Sequence, residues 1–345
     1  LRELPDMSVM PYPAVDGGKE FKENVIAWAF GKYEKRIRET MYVDACATPG
    51  GSGAIASTFS VYAKPNDYIF VSNIRWQYDR FADRAHLRIF EHNMFKDEGF
   101  DVDSFDASLG ELCQKQKQVI VIVNDPCHNP TGYTLSQFEF KRIIDILNKY
   151  EDNDIVFLYD VAYLEYTSES DNRIKMLELL TLKDHVMTIM AFSGSKTFGV
   201  YGLRLGAAIG LSKNKKHIDN FRPRFVNEAR GSWSATPTIS IELLNHFSKK
   251  ENYELFGKDL AYIKEIVAKR SESFISQAKA IGLKTYPFKS GFYVIVLTDK
   301  PMDVYEKLAE NGIYLVPMEN GIRIALCSIS LKEIDGLPQK IKPYL

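Results

Sequence analysis

This sequence predicts an α/β fold: a large, mostly parallel sheet with helices on both faces, followed by a smaller C-terminal α/β domain. Three observations carry that reading. From about residue 42 to residue 210, short apolar runs alternate with helical segments, the pattern of a parallel sheet covered by helices. Beyond 210 the texture changes to long helices and then to a compact module of strand, helix and two further strands. The chain has 345 residues, more than one ordinary core holds. We therefore expect a large domain over 1–255 and a small one over 256–345.

Each element has a local reason. Gly50-Gly51-Ser52-Gly53-Ala54 precedes an apolar, small-residue segment that suits a helix. Residues 119–123 form a β-branched run of buried-strand type. Ser136 and Glu139 have capping-box spacing, and Phe138, Ile143, Ile144 and Leu147 form the stripe of the helix that follows. A second strand at 154–159 closes on Asp160, completing a β-α-β crossover, and a third at 186–192 closes on Ser193. Helices are expected at 237–249 and 253–280, the latter ending before Gly282. The last module reads as a strand at 293–297, a helix at 302–311 stopped by Gly312, and strands at 313–316 and 322–326.

Bulk properties remove several classes of function. Lys and Arg number 44 against 45 Asp and Glu, a formal net charge of −1, so no global field favours nucleic acid or an anionic membrane. The lysines within 213–216 read as a solvated surface turn. No apolar run approaches the roughly 18 residues of a membrane helix, and no signal-peptide pattern opens the chain, so a cytoplasmic protein is expected. Cys46, Cys113, Cys127 and Cys327 lie far apart without metal or disulfide spacing and are expected to be buried free thiols. Leu1 is not an initiator residue, so an N-terminal segment is expected to be missing.

The chemistry concentrates where strands end. Asp160-Val161-Ala162-Tyr163 is followed by Ser193-Gly194-Ser195-Lys196 and then Arg204. In open α/β sheets ligands settle beyond the strand C-termini. A carboxylate, an amine, hydroxyls and a guanidinium gathered there suit pyridoxal phosphate, which needs a carboxylate at its ring nitrogen, an amine for covalent attachment and a cation at its phosphate. Gly51, Ser52 and the amides around them offer a helix N-terminus to a phosphate, although such a turn also serves as punctuation. The loop from Asn124 through Asn129-Pro130-Thr131-Gly132 reads either as a rigid turn or as the support of Asn129 toward a cofactor oxygen, with Tyr163 reaching the same oxygen.

Asn129-Pro130-Thr131-Gly132, Asp160-x-x-Tyr163, Ser193-x-Ser195-Lys196 with Arg204, and Gly321-Ile322-Arg323 together resemble the fold-type I, pyridoxal-phosphate-dependent aminotransferases of class I/II, across essentially the whole chain. That resemblance implies a seven-stranded-type large sheet and a set of roles. Lys196 becomes the covalent attachment point and proton shuttle, and Asp160 the partner of the pyridine nitrogen. Gly51, Ser52, Ser193, Ser195 and Arg204 hold the phosphate, while Trp76 stacks on the ring and Asn129 and Tyr163 donate to its oxygen. Arg323 takes the substrate α-carboxylate. Tyr12 reaches the phosphate of the neighbouring subunit in a homodimer. Arg230 resembles the residue that crosses the dimer to a dicarboxylate's distal group, a residue also present in relatives acting on aromatic amino acids and readable as a plain surface arginine.

This sequence departs from the family at two places. No segment corresponding to the usual N-terminal stretch precedes Leu1, and Gln77-Tyr78-Asp79 stands after Trp76 where a histidine that pairs with the aspartate is usual. The resemblance implies transfer of an amino group from an L-amino acid, aspartate, glutamate or aromatic, to a 2-oxo acid. A C–S β-lyase on the same fold and the effector-binding domain of an aminotransferase-like transcription regulator are the alternatives. Nucleic acid, membrane and metal are not expected.

Overall fold

A computed structural model describes residues 9–171 and 173–345. Among these residues the large sheet is built from β1 (Tyr42–Pro49), β2 (Tyr68–Ser72) and β3 (Arg88–His92), then, after a two-stranded hairpin of β4 (Phe95–Lys96) and β5 (Gly99–Phe100), from β6 (Gln118–Asn124), β7 (Asp154–Asp160), β8 (Val186–Ser193) and β9 (Leu205–Ser212). Their spatial order is β1-β9-β8-β7-β6-β2-β3. Only β9 runs against its neighbours, so the sheet is mostly parallel as expected.

The central strands are buried on both faces, which explains their continuous apolar runs. Val121, Val123, Phe157 and Tyr159 point into one core with Phe21 and Val25 of helix Gly18–Phe30 and Phe140, Ile143 and Leu147 of helix Gln137–Lys149. Ile120, Ile122, Val156 and Leu158 point to the other, with Ile55 and Phe59 of helix Gly50–Tyr62 and Phe221 and Phe225 of helix Lys215–Ser232. The alternation along each strand distributes one apolar run between two cores.

A second sheet, ordered β10-β12-β11, closes the chain with β10 (Tyr293–Leu297), β11 (Val316–Met318) and β12 (Gly321–Ala325), all antiparallel. Val294, Val296, Ile322 and Ile324 face a separate core with Phe274 and Ala278 of helix Lys250–Ala280 and with Val304 and Leu308 of helix Pro301–Glu310. Ile295, one residue out of phase, belongs instead to the first core of the large sheet.

Three expectations are corrected. Phe138 is 67% exposed and leaves the helical stripe, because the capping box on Ser136 starts the helix at Gln137 and the inward face runs through Phe140, Ile143, Ile144 and Leu147. Residues 313–315 are not a strand. The Ile313 N–H is taken by the Leu308 carbonyl at the helix end, and pairing with β12 begins only where Val316 meets Arg323. All four cysteines are free, but Cys113 and Cys327 are only half-buried.

Two histidines stand at or beyond strand ends of the large sheet, His92 closing β3 and His128 in the loop after β6. His92 and His128 are buried, and burial lowers them to about 4 and about 3 respectively. Between these values and their unfolded value near 6.5, the unfolded chain binds protons that the folded chain refuses, so stability falls as pH drops. His217 is lowered in the same direction by burial. Unfolding titrations are therefore expected to show a loss of a few kcal/mol from pH 7 to pH 5, with a flatter profile in His92→Phe. A wild-type profile that is level over that window contradicts the assignment.

Candidate active site

Strand direction brings the polar residues together. The parallel strands β6, β7 and β8 end side by side at Asn124, Asp160 and Ser193, with Asn124 paired to Asp160 in register. Because β9 is antiparallel, its start lies at the same edge, where Ser193 pairs with Gly206, and β1 returns there with Pro49 opposite Leu205. Helix Gly50–Tyr62 starts from that edge. One cleft is lined by Gly51, Ser52, Ile55, Trp76, Asn124, Asn129, Asp160, Ala162, Tyr163, Ser193, Lys196 and Arg204.

Asp160 is 5% exposed, and burial raises its pKa above the ordinary carboxylate value. Two donors oppose that. The Tyr78 hydroxyl donates to Oδ2 at 2.6 Å, and the Ala162 N–H donates to Oδ1 at 3.1 Å. Lys196 stands on the short helix Gly194–Thr197 that leaves β8, half-buried, with its backbone carbonyl accepting from the Tyr166 hydroxyl at 3.0 Å. Its Nζ is 5.4 Å from the Tyr201 ring centroid and 6.0 Å from that of Tyr163. Burial and, less strongly, the Arg204 charge lower the lysine pKa, while Asp160 partly restores it.

The glycine turn is a fitted cradle. Gly50 has φ +75°, which favours glycine, and a Cβ there would sit 2.3 Å from Arg204 Nη2, so the guanidinium would have to shift. Arg204 adopts φ +55°, and its guanidinium donates to Ser195 Oγ at 3.2 Å and to the carbonyls of Tyr201 and Pro49 at 2.9 and 3.2 Å. The Gly51 Cα faces the Ser193 side chain, with a built Cβ only 3.3 Å from Ser193 Cβ.

A third group is tied to the loop after β6. The Asn129 backbone N–H donates to Asn124 Oδ1 at 2.8 Å, its side-chain Nδ2 donates to the Tyr163 hydroxyl at 3.2 Å, and its Oδ1 accepts from Arg323 Nη1 at 3.1 Å. The Arg323 guanidinium stacks 4.5 Å from the Tyr293 ring centroid. Its Nε is buried without a hydrogen-bond partner, and among the described residues no carboxylate lies in ion-pair range of it. The loop itself is held by Asp125, whose carboxylate accepts from Leu135 N at 2.7 Å, the Tyr159 hydroxyl at 3.1 Å and the buried Lys175 Nζ at 2.9 Å. Lys175 also donates to the Leu135 carbonyl at 2.7 Å, so one lysine clasps both ends of the loop.

The structure thus gathers ten of the sequence-identified residues at one cleft: Gly51, Ser52, Trp76, Asn129, Asp160, Tyr163, Ser193, Lys196 and Arg204 line it, and Ser195 bonds Arg204. Arg323 joins through Asn129. Tyr12, 92% exposed, and Arg230, exposed and donating to Ser234 Oγ at 3.0 Å, stay outside the cleft of their own chain. Sequence reasoning missed Tyr78, Tyr201 and the Asp125 and Lys175 pair. Tyr78 had a signal, since it stands beside Trp76 where a partner for the aspartate was found wanting.

The model of the family "Aminotransferase class I and II" matches residues 3–341. This chain belongs to the class I and II aminotransferases. It is 28% identical over 205 residues to an aromatic-amino-acid aminotransferase of Pseudomonas aeruginosa, covering 58% of this chain and 50% of that one. It is 27% identical over 231 residues to an aspartate aminotransferase of Escherichia coli, covering 66% and 56%. The match thus spans about half the length of these curated relatives. The crystal structure of an aminotransferase from Anaerococcus prevotii superposes with a TM-score of 0.95 at 30% identity, over 99% of this chain and 84% of that one. Class I and II aminotransferases depend on pyridoxal 5′-phosphate, which is the cofactor of this chain.

The Lys175 clasp joins both ends of the loop, and its loss is expected to be costly. Lys175→Met leaves the Asp125 carboxylate buried without its cation, at a cost of about 3–5 kcal/mol. Urea unfolding of the purified variant measures this, and a loss below about 1 kcal/mol contradicts the clasp.

Proposed function

We propose that this chain is an aminotransferase that moves the amino group of an L-amino acid to a 2-oxo acid, with Lys196 as the reacting lysine. The observation that carries the reading is the half-buried Lys196 amine, lowered in pKa, in one cleft with the buried Asp160 carboxylate.

The residues suit pyridoxal phosphate on three counts. Gly50 leaves space that a Cβ would close against Arg204, Arg323 keeps a buried Nε unpaired, and Asp160 is a buried carboxylate whose two direct partners are neutral. Arg204, with Ser193, Ser195, Ser52 and the amides near Gly51, would hold the phosphate through charge-assisted hydrogen bonds and a helix N-terminus. Asp160 would face the ring nitrogen, Trp76 would cover the ring, and Asn129 and Tyr163 would donate to the ring oxygen. When bound, the cofactor supplies an electron sink for the charge left on the substrate Cα.

The chain's own residues do the rest. Lowering the Lys196 pKa raises the fraction of neutral amine near pH 7, and only that form attacks a carbonyl carbon or accepts a proton from Cα. Arg323 would take the substrate α-carboxylate in its planar fork and so fix which Cα bond points at Lys196. Asn129 links that arginine to Tyr163, so carboxylate and ring oxygen would be registered by a single side chain.

The reading includes a homodimer in which Tyr12 reaches the partner's phosphate and Arg230 the distal group of a dicarboxylate. Both side chains are exposed in the single chain. It also includes aspartate, glutamate or an aromatic amino acid as donor, in keeping with the names of the two relatives, a cytoplasmic location, and a division into domains at 255/256. That division is supported by the separate core under the second sheet.

Lys196→Ala tests the reading. The variant is expected to lose the pH-dependent visible band of the loaded protein and to fall at least about a thousandfold in kcat. Arg323→Ala is expected to raise the KM for amino acids by about ten- to a hundredfold with the band intact. A Lys196→Ala protein with wild-type turnover refutes the proposal.

A further inference from the structure

Tyr78 is set in place by contacts on three sides. Its side chain is 1% exposed, its hydroxyl meets Asp160 Oδ2 at 2.6 Å, and its ring stands edge-on to Trp76 at 5.4 Å. It opens helix Tyr78–Arg84, with its backbone N–H donating to the Trp76 carbonyl at 2.6 Å. One residue therefore joins the aromatic wall of the cleft to the carboxylate at its floor.

We propose that Tyr78 is a positioning residue for Asp160, fixing the rotamer of the carboxylate and holding it ionised through a neutral hydrogen bond while its remaining lone pairs stay available to the cofactor ring. This rests on the reading of the cleft as a pyridoxal-phosphate site. A carboxylate offers about four lone-pair directions. Tyr78 takes one on Oδ2 and the Ala162 N–H takes one on Oδ1, leaving the rest for the cleft. Burial and the neighbouring carboxylate raise the phenol well above its ordinary pKa, so it stays a proton donor at neutral pH. The other titratable groups acting on this pair are Tyr163, itself raised by burial, and Lys196. A phenol so placed makes the support of Asp160 independent of pH across the working range, which an imidazole would not.

The test uses the protein reconstituted with pyridoxal phosphate. Tyr78→Phe keeps the ring and removes the donor. Its cofactor dissociation constant is expected to rise roughly tenfold or more, its kcat to fall by a similar factor with KM within about twofold, and the pH midpoint of the visible band to move. A packing role alone would alter the melting temperature and leave that midpoint in place. Tyr78→His restores a donor, and its cofactor affinity is expected to approach wild type at pH 8 and to become pH-dependent below about 6.5. A Tyr78→Phe protein with wild-type affinity and midpoint overturns the inference. Should that variant not fold, a Tyr78→His protein whose affinity is as level from pH 5 to 8 as the wild type overturns it equally. A wild-type protein without a Lys196-dependent band overturns the reading of the site and this inference with it.

Discussion

Burying a carboxylate at the end of a parallel strand is the constraint on which the site depends. Asp160 sits at the end of β7 between β6 and β8, only 5% exposed, and a charge so buried is costly unless it is hydrogen-bonded or paired. Its direct donors, Tyr78 and the Ala162 N–H, are both neutral. Lys196, the cation acting on it, is itself pushed toward neutrality by burial and by Arg204. The carboxylate is thus supported well enough to exist and not well enough to be satisfied. In the proposed function a cationic ring nitrogen brought against it would complete a pair that the described residues leave incomplete.

A second buried aspartate shows the opposite arrangement. Asp125, one residue past the end of β6, accepts from Leu135, Tyr159 and Lys175, the last with 2% of its side chain exposed. Three donors of its own chain, one of them a lysine, hold this carboxylate. The two carboxylates are neighbours in the sheet, yet one is closed by its own chain and clasps a loop, and the other is kept open. Breaking the first removes a structural pair, whereas the proposed function gives the second a partner outside the chain. The Asn129 loop rests on Asp125 and reaches the Tyr163 hydroxyl beyond Asp160, so the rigid pair positions a residue for the open one.

How much of this was legible in the sequence follows from how local each signal was. Strand ends at Asp160 and Ser193 were readable because strands buried on both faces are unbroken apolar runs with abrupt polar ends. The residues gathered at those ends could be matched to a cofactor because their types fit its charges. Tyr78 was only half readable: it stands two positions after Trp76, where the aspartate's usual histidine partner is absent, but its pairing across 82 positions is made by the fold. Phe138 was misplaced for a related reason: an apolar residue next to a cap satisfies the pattern without facing the core. The strand expected at 313–316 failed because the helix end took the Ile313 N–H before pairing could start. Tyr12 and Arg230, exposed on one chain, have roles whose meaning depends on a second copy.

The distribution of cations carries the same logic to the substrate. The chain as a whole is nearly neutral, so no global field draws an anion in. Locally, Arg75 lines a neighbouring hollow beside Trp76, but Asp79 and Glu91 hold it at 2.5 and 2.6 Å, leaving little of its charge for a ligand. Arg204 and Arg323 differ from it, since each meets only neutral oxygens in its hydrogen bonds. Among the described residues, Arg204 in the cleft and Arg323, joined to it through Asn129, are two guanidinium groups without direct carboxylate partners. On the proposed function a phosphate at one and an amino-acid carboxylate at the other would use both, and a further carboxylate on the substrate would find no equally free arginine among the described residues of the cleft. In the proposed function, recognition of a dicarboxylate would therefore fall to a cation from outside that cleft, and Arg230 on a second copy of the chain is the residue that the proposed dimer would supply.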